Sequence, residues 1–303
     1  MASVIVAPSI QLQNILFATD FSPSTQKALS CTLSLAHHYG AEVYLVNVMP
    51  HLPFVEAVQP EPEQIGLSVK QRMTDLTSSE SFRSLRHKEL IEEGEVAEVL
   101  SKLVRRYDID LIVISTGGRK AQEKLLLGSV AEEVFRNAEC PVLTVGPHAA
   151  RWAADGHLQH ILYATDFGPE SIHGLPYAIS LAEENRARLT LLHVAPEPGV
   201  ALPEAQPGTL PVLDWEEVAA ATENQLRALI PEANQLWHEP EYDVQFGSPA
   251  ETIVKTAETA DMIVLGVKRP TPLTKHLGAG VAYQVVCESP CPVLSVGARY
   301  RVK

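Results

Sequence analysis

Residues 12–21, Leu-Gln-Asn-Ile-Leu-Phe-Ala-Thr-Asp-Phe, return as residues 158–167, Leu-Gln-His-Ile-Leu-Tyr-Ala-Thr-Asp-Phe, at an offset of 146. Towards the end of each copy, Cys140-Pro141-Val142-Leu143-Thr144-Val145-Gly146 returns as Cys291-Pro292-Val293-Leu294-Ser295-Val296-Gly297, at an offset of 151. Two copies of one domain therefore run head to tail. The period is too long for a solenoid unit, so each copy is expected to bury its own core. The copies are expected at residues 1–147 and 157–303, joined by a segment without periodicity.

Charge and composition bear on the partners. The 303 residues carry a formal net charge of −13. Nucleic acids and acidic membrane surfaces are held by clustered Lys and Arg, so neither is expected as a partner. Met1 to Ile10 is apolar but has no basic n-region and reads as no signal peptide. No apolar run approaches a membrane span. Cys31, Cys140, Cys287 and Cys291 are too few and wrongly spaced for a disulfide framework, so a reducing cytoplasm is expected.

Each copy alternates strand and helix patterns. In the first, strands are expected at Ile15 to Thr19, Glu42 to Val48, Lys88 to Glu92, Leu111 to Ser115 and Pro141 to Val145. Helices are expected at Ser24 to Tyr39, Leu67 to Arg86, Val96 to Tyr107 and Ser129 to Ala138. The second copy repeats the strands at Ile161 to Thr165, Arg188 to Val194, Tyr242 to Phe246, Met262 to Val267 and Pro292 to Val296. Five strands with helical crossovers make a parallel, doubly wound α/β sheet, Rossmann-like, with helices on both faces. Ligands of such sheets lie outside the carboxyl ends of the strands, at the switch in strand order. That edge collects Thr19-Asp20, Asn47-Val48 and the loop after Ser115.

The loop reads Ile114-Ser115-Thr116-Gly117-Gly118-Arg119, and after Leu127 it continues Gly128-Ser129-Val130-Ala131-Glu132. Glycines let backbone N–H groups approach an anion, and the start of a helix adds partial positive charge. Read as residues alone, Gly118 as a turn residue and Gly128-Ser129 as a plain helix cap is an equally good account.

Both copies resemble universal stress protein domains. The pattern of that family is Gly-x2-Gly-x9-Gly-Ser/Thr between the fourth strand and the next helix, an Asp ending the first strand, and a Pro-Val-Leu-x-Val last strand. The first copy matches as Ser115-x2-Gly118-x9-Gly128-Ser129, with Ser115 in place of the first glycine. The resemblance covers essentially the whole chain. It implies a tandem two-domain protein of adenine nucleotide α-hydrolase-like fold, which binds ATP, AMP or another adenine nucleotide as a non-catalytic ligand in stress response. The implied nucleotide-binding residues are Ala18, Thr19, Asp20, Val48, Ile114, Ser115, Gly118, Gly128, Ser129 and Val130. It also implies that the last strands, Pro141 to Val145 and Pro292 to Val296, pair the two domains with each other. A homodimer of whole chains is left open.

The second copy departs from the pattern. Counting from Gly266, the second glycine is Arg269, the third is Ala279, and Gly280 stands where Ser129 did. Pro270 and Pro272 remove N–H donors between them. Nucleotide is therefore expected in the first copy and little or none in the second. The alternative is an interaction module that takes no nucleotide.

No enzymatic constellation emerges. Asp20 and Asp166 belong to different copies, and each precedes Phe and a helix start, so capping or ligand contact is expected of them. Cys287-x3-Cys291 has no partner pair at zinc spacing, and no metal is expected. Cys140 and Cys291 read as small buried residues, and His37, His38, His157 and His160 as surface histidines. An enzyme of the wider α-hydrolase-like group would carry a Ser-Gly-Gly-x-Asp-Ser loop after the first strand, where this chain has Thr19-Asp20-Phe21-Ser22-Pro23.

Overall fold

The structure, a computed structural model, describes residues 10–49, 62–117, 127–149, 152, 157–197, 214–230, 236–267 and 280–297, with side chains for all of these but 62–66 and 129. The first copy runs β1 (Asn14–Ala18), α1 (Thr25–Tyr39), β2 (Glu42–Met49), α2 (Pro62–Thr77), α3 (Glu80–Arg83), β3 (His87–Glu93), α4 (Val96–Tyr107), β4 (Leu111–Ser115), α5 (Ser129–Asn137) and β5 (Val142–Val145). The second runs β6 (His160–Ala164), α6 (Pro169–Ile172), α7 (Leu175–Asn185), β7 (Arg188–Ala195), α8 (Trp215–Leu229), β8 (Glu241–Phe246), α9 (Pro249–Thr256), a 3-10 turn (Ala257–Thr259), β9 (Met262–Val267), α10 (Val281–Glu288) and β10 (Val293–Gly297). All ten strands fall within one residue of the bounds read from the sequence.

The strands form one sheet in the order β3-β2-β1-β4-β5-β10-β9-β6-β7-β8. Neighbours are parallel except β5 and β10, which pair antiparallel with Val293 opposite Thr144 and Leu294 opposite Leu143. The expected pairing of the last strands is therefore present, and each covers the edge the other would expose. The consequence departs from the expectation of a separate core in each copy. One buried cluster lies under α1, α2, α7 and α8 and the other under α4, α5, α9 and α10, and each contains residues of both copies. Because the sheet is continuous across β5 and β10, its faces are shared.

The same carboxylate device sets the start of the first strand in each copy. Asp110 Oδ2 accepts from the Gln13 and Asn14 N–H groups at 2.9 Å each, and Asp261 Oδ2 accepts from those of Gln159 and His160 at 2.7 and 2.9 Å. Two further differences from the sequence reading have local causes. The helix expected over Leu67 to Arg86 is broken after Thr77, where the hydroxyls of Thr77 and Ser78 donate back to the Met73 and Thr74 carbonyls and Ser79 turns extended. In the second copy the first crossover is split into α6 and α7. Pro176 has no N–H for the Ile172 carbonyl, so a helix arriving from α6 cannot run through it.

Candidate functional site

The switch in strand order of the first copy lies between β1 and β4, and the candidate residues gather at the carboxyl ends of those strands and of β2. Ala18 ends β1 and Val48 stands near the end of β2. Both pack against the buried cluster on the α4 and α5 face, to which Ile114 itself belongs. These three share one apolar face of the sheet at its carboxyl edge.

The turn after β1 is built by its own side chains. The Phe21 N–H donates to Thr19 Oγ1 at 3.0 Å, and the Ser22 N–H donates to Asp20 Oδ1 at 2.9 Å. Asn47 Nδ2, from β2, donates to the Thr19 carbonyl at 2.8 Å. Together these bonds hold Phe21 at φ 58°, a left-handed conformation that costs a non-glycine residue about 1–2 kcal/mol. The second copy repeats the geometry: Thr165 and Asp166 accept from the Phe167 and Gly168 N–H groups, and Phe167 sits at φ 60°. His193 takes the place of Asn47 and donates from Nδ1 to the Thr165 carbonyl at 2.8 Å. Asp20 and Asp166 thus accept within the turns after β1 and β6, while the residues at the caps of the following helices are Ser24 and Gly168.

Ser115 is accommodated without strain, because its φ is not positive. Its hydroxyl donates to the Ser24 carbonyl at 3.1 Å, and the Ser24 hydroxyl in turn donates to the Gly117 carbonyl. The serine that replaces the first glycine thereby ties the loop to the start of α1. Gly128 caps α5, and its N–H donates to the Thr116 carbonyl at 3.1 Å. Ser129 and Val130 open α5, with Val130 exposed at 43%. The first amides of a helix have no intrahelical acceptor and favour negative charge. Gly118 lies outside the described residues, as do Arg269, Pro270, Pro272 and Ala279 of the second copy.

The second copy differs where its equivalent of Ser115 stands. A Cβ on Gly266 would lie 2.1 Å from the Glu170 carbonyl oxygen and 2.4 Å from Ser171 Cα. The backbone of α6 therefore rests directly on the end of β9. Gly174, just beyond α6, approaches the same strand end, with its own Cβ direction 3.0 Å from the Gly266 nitrogen.

Asn47 and Thr116, already placed at this edge by the sequence, acquire definite partners in three dimensions, while Ser24 joins the candidate residues only there. Cys140 and Cys291 are buried as expected, whereas His160 is buried and not a surface histidine. Its side chain, at the start of β6, is bonded between the Thr259 carbonyl and Thr190 of β7, whose hydroxyl donates on to Glu241 of β8. Among the described residues no three His, Cys, Asp or Glu side chains are grouped to hold a metal, and no helix is long and apolar enough to cross a membrane.

The profile of the Universal stress protein family matches this chain twice, over residues 11–146 and 157–297. A universal stress protein of Methanocaldococcus jannaschii is 31% identical over 141 residues, which are 44% of this chain and 81% of that protein. Universal stress protein A homolog 1 of Coxiella burnetii is 31% identical over 140 residues, 44% of this chain and 95% of that one. Among solved structures, a universal stress protein from Archaeoglobus fulgidus superposes with a TM-score of 0.68 at 18% identity, covering 95% of this chain and 97% of that one. A putative universal stress protein from Pseudomonas aeruginosa gives 0.61 at 17% identity, covering 97% and 95%. These two likenesses are of fold, and they extend over both copies together. With two matched segments filling nearly all of its length, the chain belongs to the universal stress protein family and carries the family's domain twice.

Proposed function

We propose that the first unit, residues 1–147, binds an adenine nucleotide, ATP or AMP, as a regulatory or structural ligand in a stress response, and that the second unit, residues 157–303, does not. The observation that carries this reading is the gathering of Asp20, Val48, Ile114, Ser115 and Gly128 at one strand edge, with the start of α5 at its margin. Ala18, Val48 and Ile114 supply an apolar surface for a base. Thr19, Asp20 and Ser115 supply polar groups for a ribose, and Gly118, Gly128, Ser129 and Val130 supply backbone for phosphates. The closure of α6 onto Gly266 supports an empty second unit. It also favours the other reading for that half, an interaction module without nucleotide. A non-catalytic role agrees with the engagement of Asp20 and Asp166 as acceptors within their own turns. Four free, buried cysteines fit a cytoplasmic setting.

Calorimetric titration of the whole chain with ATP tests this. It should give close to one site per chain. Gly128→Leu should weaken binding by about a hundredfold or more, equivalent to roughly 3 kcal/mol, because a side chain would stand where backbone meets phosphate. Changing Ala279 should leave binding unaltered. Two equivalent sites, or one that survives the Gly128 change, would place the ligand elsewhere.

A further inference from the structure

The hydroxyls of Thr19, Ser22, Ser24, Thr25 and Ser115 meet at the edge between β1 and the end of β4, and their hydrogen bonds fix where each proton points. A hydroxyl carries one proton, and a backbone carbonyl can only accept. Ser24 Oγ donates to the Gly117 carbonyl, and Thr25 Oγ1 donates to the Ser22 carbonyl at 2.7 Å. Ser115 Oγ has two carbonyls in reach, Ser24 at 3.1 Å and Gly117 at 3.3 Å, and its proton lies with them. The two contacts between hydroxyls follow by elimination. Ser22 Oγ is 2.7 Å from Ser24 Oγ, whose proton is already committed, so Ser22 is the donor. Thr19 Oγ1 likewise donates to Thr25 Oγ1 at 3.4 Å. All five protons are turned inward, and the cluster presents oxygen lone pairs.

Ser115 is the member best placed to meet a ligand. It is partly buried, whereas Thr19, Ser22 and Thr25 are buried. Ser24 is partly buried too, but its oxygen already receives the Ser22 proton. Ser115 Oγ accepts one long bond, from the Gly117 N–H at 3.3 Å, and a hydroxyl oxygen has two lone pairs. The second unit has no such set, because Gly168, Glu170 and Gly266 stand where Ser22, Ser24 and Ser115 do.

We propose that Ser115 is a specificity-determining residue that accepts a hydrogen bond from a ribose hydroxyl, so that the first unit selects ribose over deoxyribose. This rests on the nucleotide reading above and adds which sugar the site takes. Phosphate oxygens only accept, and a cluster with every proton turned inward has nothing to donate to them. A sugar hydroxyl can donate, so the cluster puts the sugar, not the phosphates, beside the end of β4. An analogue that lacks the hydroxyl leaves the Ser115 oxygen covered and unpaired, which is how a polar site rejects it.

The test is calorimetric titration of the full chain with ATP, 2′-deoxy-ATP and 3′-deoxy-ATP, repeated on Ser115→Ala and Ser115→Thr. In the parent chain one deoxy analogue should bind about tenfold more weakly than ATP, the worth of one neutral hydrogen bond. Fluorine at the same carbon cannot donate, so the fluoro analogue should be as weak as the deoxy one. In Ser115→Ala the affinity for ATP should fall to that of the deoxy analogue, whose own affinity stays where it was. Ser115→Thr keeps the hydroxyl and should keep the preference. Equal affinities in the parent, a preference that survives Ser115→Ala, or an equal loss for all three ligands in that variant would overturn the proposal. A parent chain that binds none of the three would remove the nucleotide reading itself, and the choice of sugar with it.

Discussion

His160 is the residue at which burial and protonation are most directly opposed. It is 5% exposed, with Nδ1 3.1 Å from the Thr259 carbonyl and Nε2 2.8 Å from Thr190 Oγ1. Burial pushes its pKa below the ordinary 6.5, while the Thr259 carbonyl pulls the other way; Arg188 lowers it further, and Glu241 and Asp261 raise it. The fold therefore favours the neutral ring. Its contribution to stability is whole above the unfolded-state value and is lost as the pH falls from there toward the folded value. Urea unfolding at pH 7.5 and pH 5.5 should show a loss of stability on acidification that is smaller in His160→Asn, which copies Asn14 of the first unit. An identical pH dependence in the two chains would remove His160 from the account. The sequence reading took this histidine as a surface one just ahead of a strand expected from Ile161, but burial on the flanks of a strand depends on which elements lie beside it. Ser115 gives the complementary case. Its departure from the family glycine is plain in the sequence, while the hydroxyl's tie to Ser24 required the turn to be folded.

At the scale of elements, the first crossover shows how one fold tolerates two solutions. In the first unit α1 is unbroken, and a serine separates it from the end of β4. In the second, α6 sits on the end of β9 and Gly266 leaves no room for a side chain. Gly266→Val should therefore destabilise the protein by about 1–3 kcal/mol, since α6 must move or β9 must bend. The opposite exchange, Ser115→Gly, should cost only about 1 kcal/mol, for one lost hydrogen bond and a freer unfolded chain. Denaturant titration of both variants checks the pair, and equal effects would mean that α6 does not seat on β9 as described. Pro176 marks the break in this helix locally, since it offers no N–H to the Ile172 carbonyl. The seating of α6 is not marked in this way, because close approach of backbone to backbone leaves no mark beyond the glycine itself.

Across the whole molecule, the β5 and β10 pair turns two domains into one ten-stranded sheet with two shared cores. Thr144 Oγ1 donates across it to the Val293 carbonyl at 3.1 Å, and at the side of the seam the Ile10 N–H donates to Ser180 Oγ at 2.7 Å. Residues 1–147 and 157–303 produced as separate chains should associate one to one at micromolar concentration, each less stable alone than the whole protein. Sedimentation and thermal melts of the halves and their mixture would show this; halves that stay monomeric and melt like the intact chain would contradict it. The repeat, the strands and the apolar last strands were all written in the sequence, because side-chain alternation and apolar runs are local signals that survive in one dimension. So was the likeness of Gly128-Ser129 to a phosphate loop, carried by residues adjacent in the chain. What the tertiary structure alone decided is how the two copies are packed: Gly266 beneath α6, Gly146 of the first copy against the Val286 carbonyl of α10, and one core on each face instead of one in each copy. Those depend on which surfaces meet when β5 and β10 pair, and contacts between residues some 150 positions apart have no periodicity from which to be read.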